Sequence, residues 1–292
     1  MLCLLLRGRR FSFSFLRIFS SEVVQKTMIG ASQFSTFIFL DLETTGLQKP
    51  VEITELTMIA VERDHIVESS QTKTTPRLLD KFTTCVRPTK EIEWFASTVT
   101  CLSNEDLEKR KGFDIELGKI VRSFITRQPQ PVCLIAHNGD NFDFKILASQ
   151  MKAVGITLPE SVRASDSLKA FRKQHKEAKA DLNNGANGTS STTVAGKRKR
   201  FSCSLNNLHC TFVGGEFENA HSSEGDALAL LRLVIHKPDI LEYLENGAHE
   251  LSWQNKENGG SSVKKPKVAL NEKDINQVQD EYLSQLEKEG LL

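Results

Sequence analysis

The stretch "FIFLDLETTGL" (Phe37–Leu47) constrains the fold most, because a continuous apolar run ends in two carboxylates and a glycine turn. Four apolar residues precede Asp41, a composition typical of a strand buried on both faces. Asp41 and Glu43 alternate with Leu42, so in a strand both carboxylates point to one face. Alone, such a pair is most simply a strand end that meets water. The pair forms a metal or catalytic site only if matching polar residues occur elsewhere in the chain.

Apolar runs and helical spacings alternate along the chain. The predicted strands are Thr36–Leu42, Glu55–Arg63, Lys81–Arg87, Val132–His137 and Val162–Ser165. The predicted helices are Asn104–Arg110, Gly112–Arg127, Phe142–Ala153, Ser167–His175 and Ser223–His236. Strands interleaved with helices predict an α/β architecture with a mixed sheet.

Three segments differ from the predicted folded domain, residues 28–250. Residues 1–27 begin with a basic, serine-containing stretch without acidic residues, typical of a mitochondrial transit peptide or, alternatively, a disordered extension. Residues 176–201 are rich in Asn, Gly, Ser and Thr and predict a flexible loop with a basic end. Residues 251–292 predict a polar tail with a marginal helix.

Composition excludes some function classes. The net charge of +1 does not indicate a polyanionic partner for the whole chain, so any nucleic-acid contact must come from local charge. The six cysteines form no C-x-x-C pair, which favours reduced thiols in an intracellular protein over a zinc site. No run reaches the roughly 18 apolar residues that span a bilayer, so we expect no membrane anchor.

A second acidic segment, "AHNGDNFDFKIL", joins a strand end to a helix start. Asn138 and Asp140 are reasonable helix caps. Asp143 is different, because it lies between Phe142 and Phe144 in an apolar helical pattern. A carboxylate there costs free energy unless it is paired or coordinates a cation.

The third segment, "HSSEGDALALLRLV", opens the last core helix. His221 and Asp226 are five residues apart, which in one regular helix would turn them to different faces. We therefore expect His221 in the lead-in and Asp226 in the first turn. Together with Asp41, Glu43 and Asp143, this makes four carboxylates and one histidine. Carboxylate oxygens suit hard cations such as Mg²⁺, and a histidine can take a proton near neutral pH.

The motifs "FLDLETTGL", "AHNGDNFDF" and "HSSEGDALALL", in this order, resemble the DEDDh family of 3′→5′ exonucleases. Segments such as "PRLLDKFTTCVRP" are similar to its three-prime repair exonuclease branch, and the resemblance covers about Phe37 to Ile235. It implies a ribonuclease H-like fold, with a five-stranded mixed sheet flanked by helices, and makes residues 28–250 an exonuclease domain. The implied activity is metal-dependent removal of nucleotides from DNA 3′ ends, with single strands preferred and 5′-monophosphates released, in DNA repair or degradation. Such enzymes are homodimers.

The resemblance also implies roles for particular residues. Asp41 would bridge two Mg²⁺ ions, with Mn²⁺ as a substitute, while Glu43 and Asp226 complete the first site. Asp143 would hold or orient the second ion through water, and His221 would be the general base. The residues expected to contact substrate are Leu42, Thr44, Thr45, Leu47 and Asn138, and the basic run Lys197, Arg198, Lys199 and Arg200.

Several alternatives stay open at this point. The basic run 197–200 has three interpretations of about equal weight: contact with DNA, a nuclear localisation signal, or a solvated surface segment. The same chemistry would suit an exoribonuclease, and a catalytically silent nucleic-acid-binding module is the other class, although all five predicted catalytic residues are intact. Asn141 stands where the family often has a basic residue, which weakens one expected substrate contact. We expect the nucleus and cytoplasm as location, with a mitochondrial form produced by the presequence.

Overall fold

Six strands form one mixed sheet in the computed structural model, which describes residues 33–185 and 202–251. The strands are β1 (Thr36–Thr44), β2 (Ile53–Glu62), β3 (Asp80–Cys85), β4 (Val132–Ala136), β5 (Arg163–Asp166) and β6 (His249–Glu250). Their order across the sheet is β3-β2-β1-β4-β5-β6. β1 lies near the middle, where it pairs antiparallel with β2 and parallel with β4. Its first five residues are therefore buried.

Nine α-helices accompany the sheet in the described part of the chain. They are α1 (Arg63–Thr72), α2 (Trp94–Thr100), α3 (Asn104–Leu107), α4 (Ile115–Thr126), α5 (Asp143–Ala153), α6 (Ser167–Gly185), α7 (Leu205–His209), α8 (Ser223–His236) and α9 (Ile240–Asn246). A π-helical turn, Cys210–Gly214, follows α7. Within the described residues, no helix combines the length and the apolar character needed to cross a membrane.

Alternate residues of β1 face two separate apolar cores. Phe37 and Phe39 pack in a cluster with α6, α8 and α9, whereas Ile38 and Leu40 pack in a cluster with α4 and α5. The sheet therefore has helices on both faces, and the odd-numbered positions of β1 face α8. Asp41 continues this odd-numbered series, so the fold directs its carboxylate toward the side of the sheet that α8 covers.

The predicted α/β class and mixed sheet are confirmed, with one strand more than the five expected. The sixth, β6, has only two residues, which are too few for a sequence pattern, and it pairs antiparallel with β5. One boundary is wrong, since α6 runs to Gly185 and makes the first ten residues of the predicted 176–201 loop helical. Three predicted segments lie outside the described residues: the rest of that loop up to residue 201, the transit peptide and nearly all of the tail.

Candidate metal and catalytic site

Two carboxylates extend from the end of β1 onto the α8 side of the sheet. Asp41 lies opposite Thr57 of β2, and Glu43 lies opposite Glu55. Directly after Glu43 the register between the two strands shifts. This irregularity ends the regular ladder at the point where the acidic side chains become half-buried.

The first turn of α8 brings a third carboxylate to this pair. One oxygen each from Asp41, Glu43 and Asp226 can be chosen so that all three lie within 4.8 Å of one another. In the described part of the chain, this is the one group of three or more His, Cys, Asp or Glu side chains that meets this distance. An all-oxygen set of this kind fits Mg²⁺ or Mn²⁺ better than a soft metal ion.

Burial and mutual repulsion make these acids hard to ionise without a cation. Burial, and then the charges of Asp143, Asp226, Glu43 and Glu55, hold the pKa of Asp41 well above its usual range. Burial, followed by the charges of Asp226 and Glu55, raises the pKa of Glu43 to about 9. The pKa of Asp226 rises to about 6 through burial, although a hydrogen bond from the His221 amide opposes the rise. A divalent cation would reverse this balance, because it favours the charged form of every ligand.

Asp143 lies beside this cluster as the first residue of α5. Its side chain is buried, and burial raises its pKa to about 7, whereas hydrogen bonds from its own amide and that of Leu42 lower it. Its charge acts on both Asp41 and Glu43, although it does not belong to the group of three ligand oxygens. Asp143 is therefore placed to act on a second cation or on water next to the first.

His221 lies just before α8, as its spacing from Asp226 predicts. The helix begins at Ser223, and the side chain of the capping Ser222 accepts a hydrogen bond from the Gly225 amide. His221 is exposed, has a left-handed φ of 64°, and donates its backbone N–H to Asp226 Oδ1 at 3.4 Å. Gly225 makes this lead-in possible, because a Cβ there would lie 2.0 Å from the Asn219 carbonyl oxygen. The backbone of His221 is thus attached to the rim of the carboxylate cluster through Asp226.

The turn after β1 is held by a residue that sequence reasoning missed, Glu93. Its carboxylate accepts hydrogen bonds from the amides of Leu47, at 3.3 Å, and Gln48, at 2.8 Å. Gly46 has φ 120°, and a Cβ on it would lie 2.3 Å from the Glu93 Cδ. Thr45 is fully buried in this turn, while Leu42, Thr44 and Leu47 are half-buried around it. Leu42, Thr44 and Leu47 are therefore open to a nucleotide next to the cluster, whereas the predicted contact by Thr45 is wrong because that residue is fully buried.

The helix caps expected before α5 are wrong. Phe142 precedes the helix and makes no side-chain cap. The Asn138 amide instead donates to Asp166 Oδ1 at 3.1 Å, and its own side chain accepts from the Asn141 side chain. Asp140 accepts from Lys169 Nζ at 2.6 Å. These side chains organise the loop before α5, and Asp166, which the sequence patterns do not single out, is its anchor.

Comparison with known proteins matches the part of the chain that contains these acidic residues. The family of exonucleases termed RNase_T matches residues 38–234. Three prime repair exonuclease 2 of Homo sapiens is 35% identical over 217 residues, which cover 72% of this chain and 86% of that protein. Three-prime repair exonuclease 1 of Bos taurus is 35% identical over 218 residues, which cover 70% of this chain and 64% of that protein.

Solved structures share the fold at lower identity. The nuclease domain of 3′hExo, described as a DEDDh family member bound to rAMP, has a TM-score of 0.52 at 14% identity and covers 74% of this chain and 97% of that one. Exonuclease I has a TM-score of 0.53 at 17% identity, covering 72% of this chain and 43% of that one. These likenesses concern the fold alone, and they confirm the predicted ribonuclease H-like architecture.

Proposed function

The chain belongs to the exonuclease family of the three prime repair exonucleases, and from this premise we propose that it removes nucleotides from DNA 3′ ends by metal-dependent hydrolysis. Membership makes it a 3′→5′ exonuclease. The metal ions, the general base and the choice of polymer are the proposed part. The observation that carries the proposal is the convergence of Asp41, Glu43 and Asp226, whose oxygens come within 4.8 Å of one another.

In this proposal the carboxylates of Asp41, Glu43 and Asp226 would hold one Mg²⁺, and Asp41 and Asp143 would hold or orient a second. When bound, such cations would supply Lewis-acid stabilisation of the phosphodiester oxygens and activation of an attacking water. Asp143 would orient that water, since its buried carboxylate lies beside the cluster. His221 takes the proton from the water at Nδ1 or Nε2, because its exposed lead-in reaches the rim of the cluster.

The substrate proposal rests on the turn that follows β1. The 3′-terminal nucleotide lies on Leu42, Thr44 and Leu47, whereas the fully buried Thr45 supports the turn from below. Glu93 fixes this turn through the amides of Leu47 and Gln48. A site that takes one splayed 3′ end would favour single strands. We propose DNA ahead of RNA because the relatives at 35% identity are named repair exonucleases. The basic run 197–200 would add phosphate affinity without sequence preference.

Two further proposals concern assembly and location. The family premise supports the first, and the basic composition at the start of residues 1–27 supports the mitochondrial part of the second. The protein acts as a homodimer, which light scattering of the full chain would test. It acts in the nucleus and cytoplasm, and residues 1–27 direct a second form to mitochondria. Imaging of the full chain and of a variant without residues 1–27 would separate these locations.

Digestion of matched single strands tests the polymer and the direction together. DNA and RNA of one sequence, labelled at either the 3′ or the 5′ end, would be incubated with the full chain and Mg²⁺. We expect rapid loss of the DNA 3′ label as a 5′-mononucleotide, with the 5′ label retained until late. Faster loss of the RNA 3′ label would make the protein an exoribonuclease. Absence of turnover with Mg²⁺ and with Mn²⁺ would favour the silent binding module.

A further inference from the structure

A carboxylate outside the three family motifs faces the catalytic cluster from β2. Glu55 lies opposite Glu43 in the antiparallel ladder, and Thr57, two residues on, lies opposite Asp41. Both β2 residues point to the α8 side of the sheet, since β2 also alternates by two. Glu55 is half-buried, and its charge raises the pKa of both Asp41 and Glu43. A carboxylate that adds repulsion to an acidic cluster needs a separate reason to be there.

Glu55 makes a specific contact with the start of α8. Its Oε2 accepts a hydrogen bond from the Ser223 amide at 2.8 Å. Ser223 is the first residue of the helix, so its N–H has no partner inside α8, and a negative charge there is favoured by the helix dipole. The other oxygen, Oε1, faces the Cys85 thiol at 3.8 Å. Both carboxylate oxygens therefore already have partners in the protein.

A chain of hydroxyl groups reinforces this attachment. Ser223 Oγ lies 2.7 Å from Thr57 Oγ1, and Thr57 Oγ1 donates to Thr83 Oγ1 at 3.1 Å. Ser223 and Thr57 are both fully buried. The first residue of α8 is thus attached to β2 through its amide and its hydroxyl, and through Thr57 to β3. Such an attachment fixes both the position and the direction in which the helix begins.

We propose that Glu55 is a positioning residue that holds the first turn of α8 against β2 and so places Asp226 beside Asp41 and Glu43. Asp226 is one turn beyond Ser223, and its amide donates to the Ser222 carbonyl at 3.0 Å. A shift of the anchored turn would therefore move the Asp226 carboxylate directly. His221, whose amide contacts Asp226, would move with it. The expected effect of Glu55 on catalysis rests on the proposed metal-dependent activity. The attachment of α8 to β2 through Glu55 does not depend on that activity.

Two variants distinguish whether Glu55 anchors the start of α8 or binds a metal ion directly. Glu55→Ala removes the acceptor for the Ser223 amide. Glu55→Gln removes the charge but keeps a side-chain oxygen that can accept the same hydrogen bond. Glu224→Gln is the matched control, because Glu224 also lies in the first turn of α8 but its carboxylate pairs with Lys81 at the surface, whereas the Ser223 amide binds Glu55.

The experiment uses the full chain and three readouts. Amide hydrogen exchange is measured at Ser223 to Asp226 in EDTA, Mn²⁺ affinity is measured by calorimetry, and kcat and KM are measured on 3′-labelled single-stranded DNA. For Glu55→Ala we expect at least tenfold faster exchange in this turn, Mn²⁺ affinity and kcat lowered by about 10–100-fold, and little change in KM. Glu55→Gln should recover most of each loss, and Glu224→Gln should match the wild type.

Other outcomes would overturn the proposal in distinguishable ways. If Glu55→Gln lost as much Mn²⁺ affinity as Glu55→Ala, with exchange unchanged in both, Glu55 would be a metal ligand instead of an anchor. If Glu55→Ala matched the wild type in all three readouts, Glu55 would have no positioning role. An inactive wild-type enzyme that binds no Mn²⁺ would refute the proposed function, and the exchange rates in EDTA would then decide the anchor alone.

Discussion

Replacing Glu43 by glutamine should stabilise the metal-free protein, and increasingly so as the pH rises. The pKa of Glu43 is raised from 4.5 to about 9, by burial first and then by the charges of Asp226 and Glu55. The folded protein therefore keeps this proton between pH 5 and pH 7, whereas the unfolded chain has released it. Stability that depends on the bound proton is complete below pH 4.5 and is lost progressively up to about pH 9.

The size of the effect follows from this window. Each pH unit between the two pKa values costs the wild type about 1.4 kcal/mol of unfolding free energy, so two units cost about 3 kcal/mol. Glutamine resembles the protonated glutamate and carries no such cost. Because Glu43 is neutral in the folded protein over this range, the substitution leaves the charges on its neighbours nearly unchanged. The advantage of the variant should therefore grow by about 3 kcal/mol between pH 5 and pH 7.

Urea unfolding in EDTA at pH 5, 6 and 7 and constant ionic strength measures this difference. The control is Glu116→Gln, since Glu116 is an exposed residue of α4 outside the cluster and reports the effect of losing one surface carboxylate. A Glu43→Gln difference that stayed constant from pH 5 to pH 7 would refute the reasoning. The carboxylate cluster would then be ionised at little cost even without a cation.

Three further results are expected. His221→Ala should lower kcat by about 10²–10⁴-fold with Mn²⁺ affinity unchanged, because the imidazole moves a proton and holds no cation; equal losses in both would assign it to the metal site. Gly225→Ala should lower the melting temperature and the activity together, since the new Cβ meets the Asn219 carbonyl oxygen at 2.0 Å, and a variant with normal stability would show that the lead-in adapts. Mg²⁺ should raise the urea midpoint of the wild type at pH 7 but not that of Asp41→Asn, and an equal rise in both would place the binding elsewhere.

Sequence patterns predicted the elements that carry strong periodic signals. The helix predicted from about Ser223 to His236 is confirmed with those bounds as α8, because an apolar pattern runs through it up to Lys237-Pro238. Alternation by two predicted that Asp41 and Glu43 lie on one face of β1. The offset of five residues from Asp226 predicted that His221 lies before the helix. The structure brings Asp41, Glu43 and Asp226 together as those patterns indicate.

Residues that act through the tertiary structure were harder to predict. Glu55 lies in an apolar strand and Glu93 lies before a short helix, and neither belongs to a local motif. Their partners, Ser223 and Leu47, are 168 and 46 residues away in the chain. The α1 helix was missed because its sequence is mostly polar and it has few buried residues, Ile66 and Ser69. The sequence does carry one signal for Glu55. It is the one acid inside the apolar run of β2, and alternation by two places it on the same face of that strand as Thr57.

Anomalous diffraction from crystals soaked in Mn²⁺ tests the central claim most directly. The account predicts a strong peak coordinated by Asp41, Glu43 and Asp226, and a second peak about 4 Å away on the side of Asp143. Both peaks should disappear in Asp41→Asn, because that residue is expected to bridge the two ions. A peak that avoids the carboxylate cluster, or an empty cluster at Mn²⁺ concentrations that support DNA cleavage, would contradict the account.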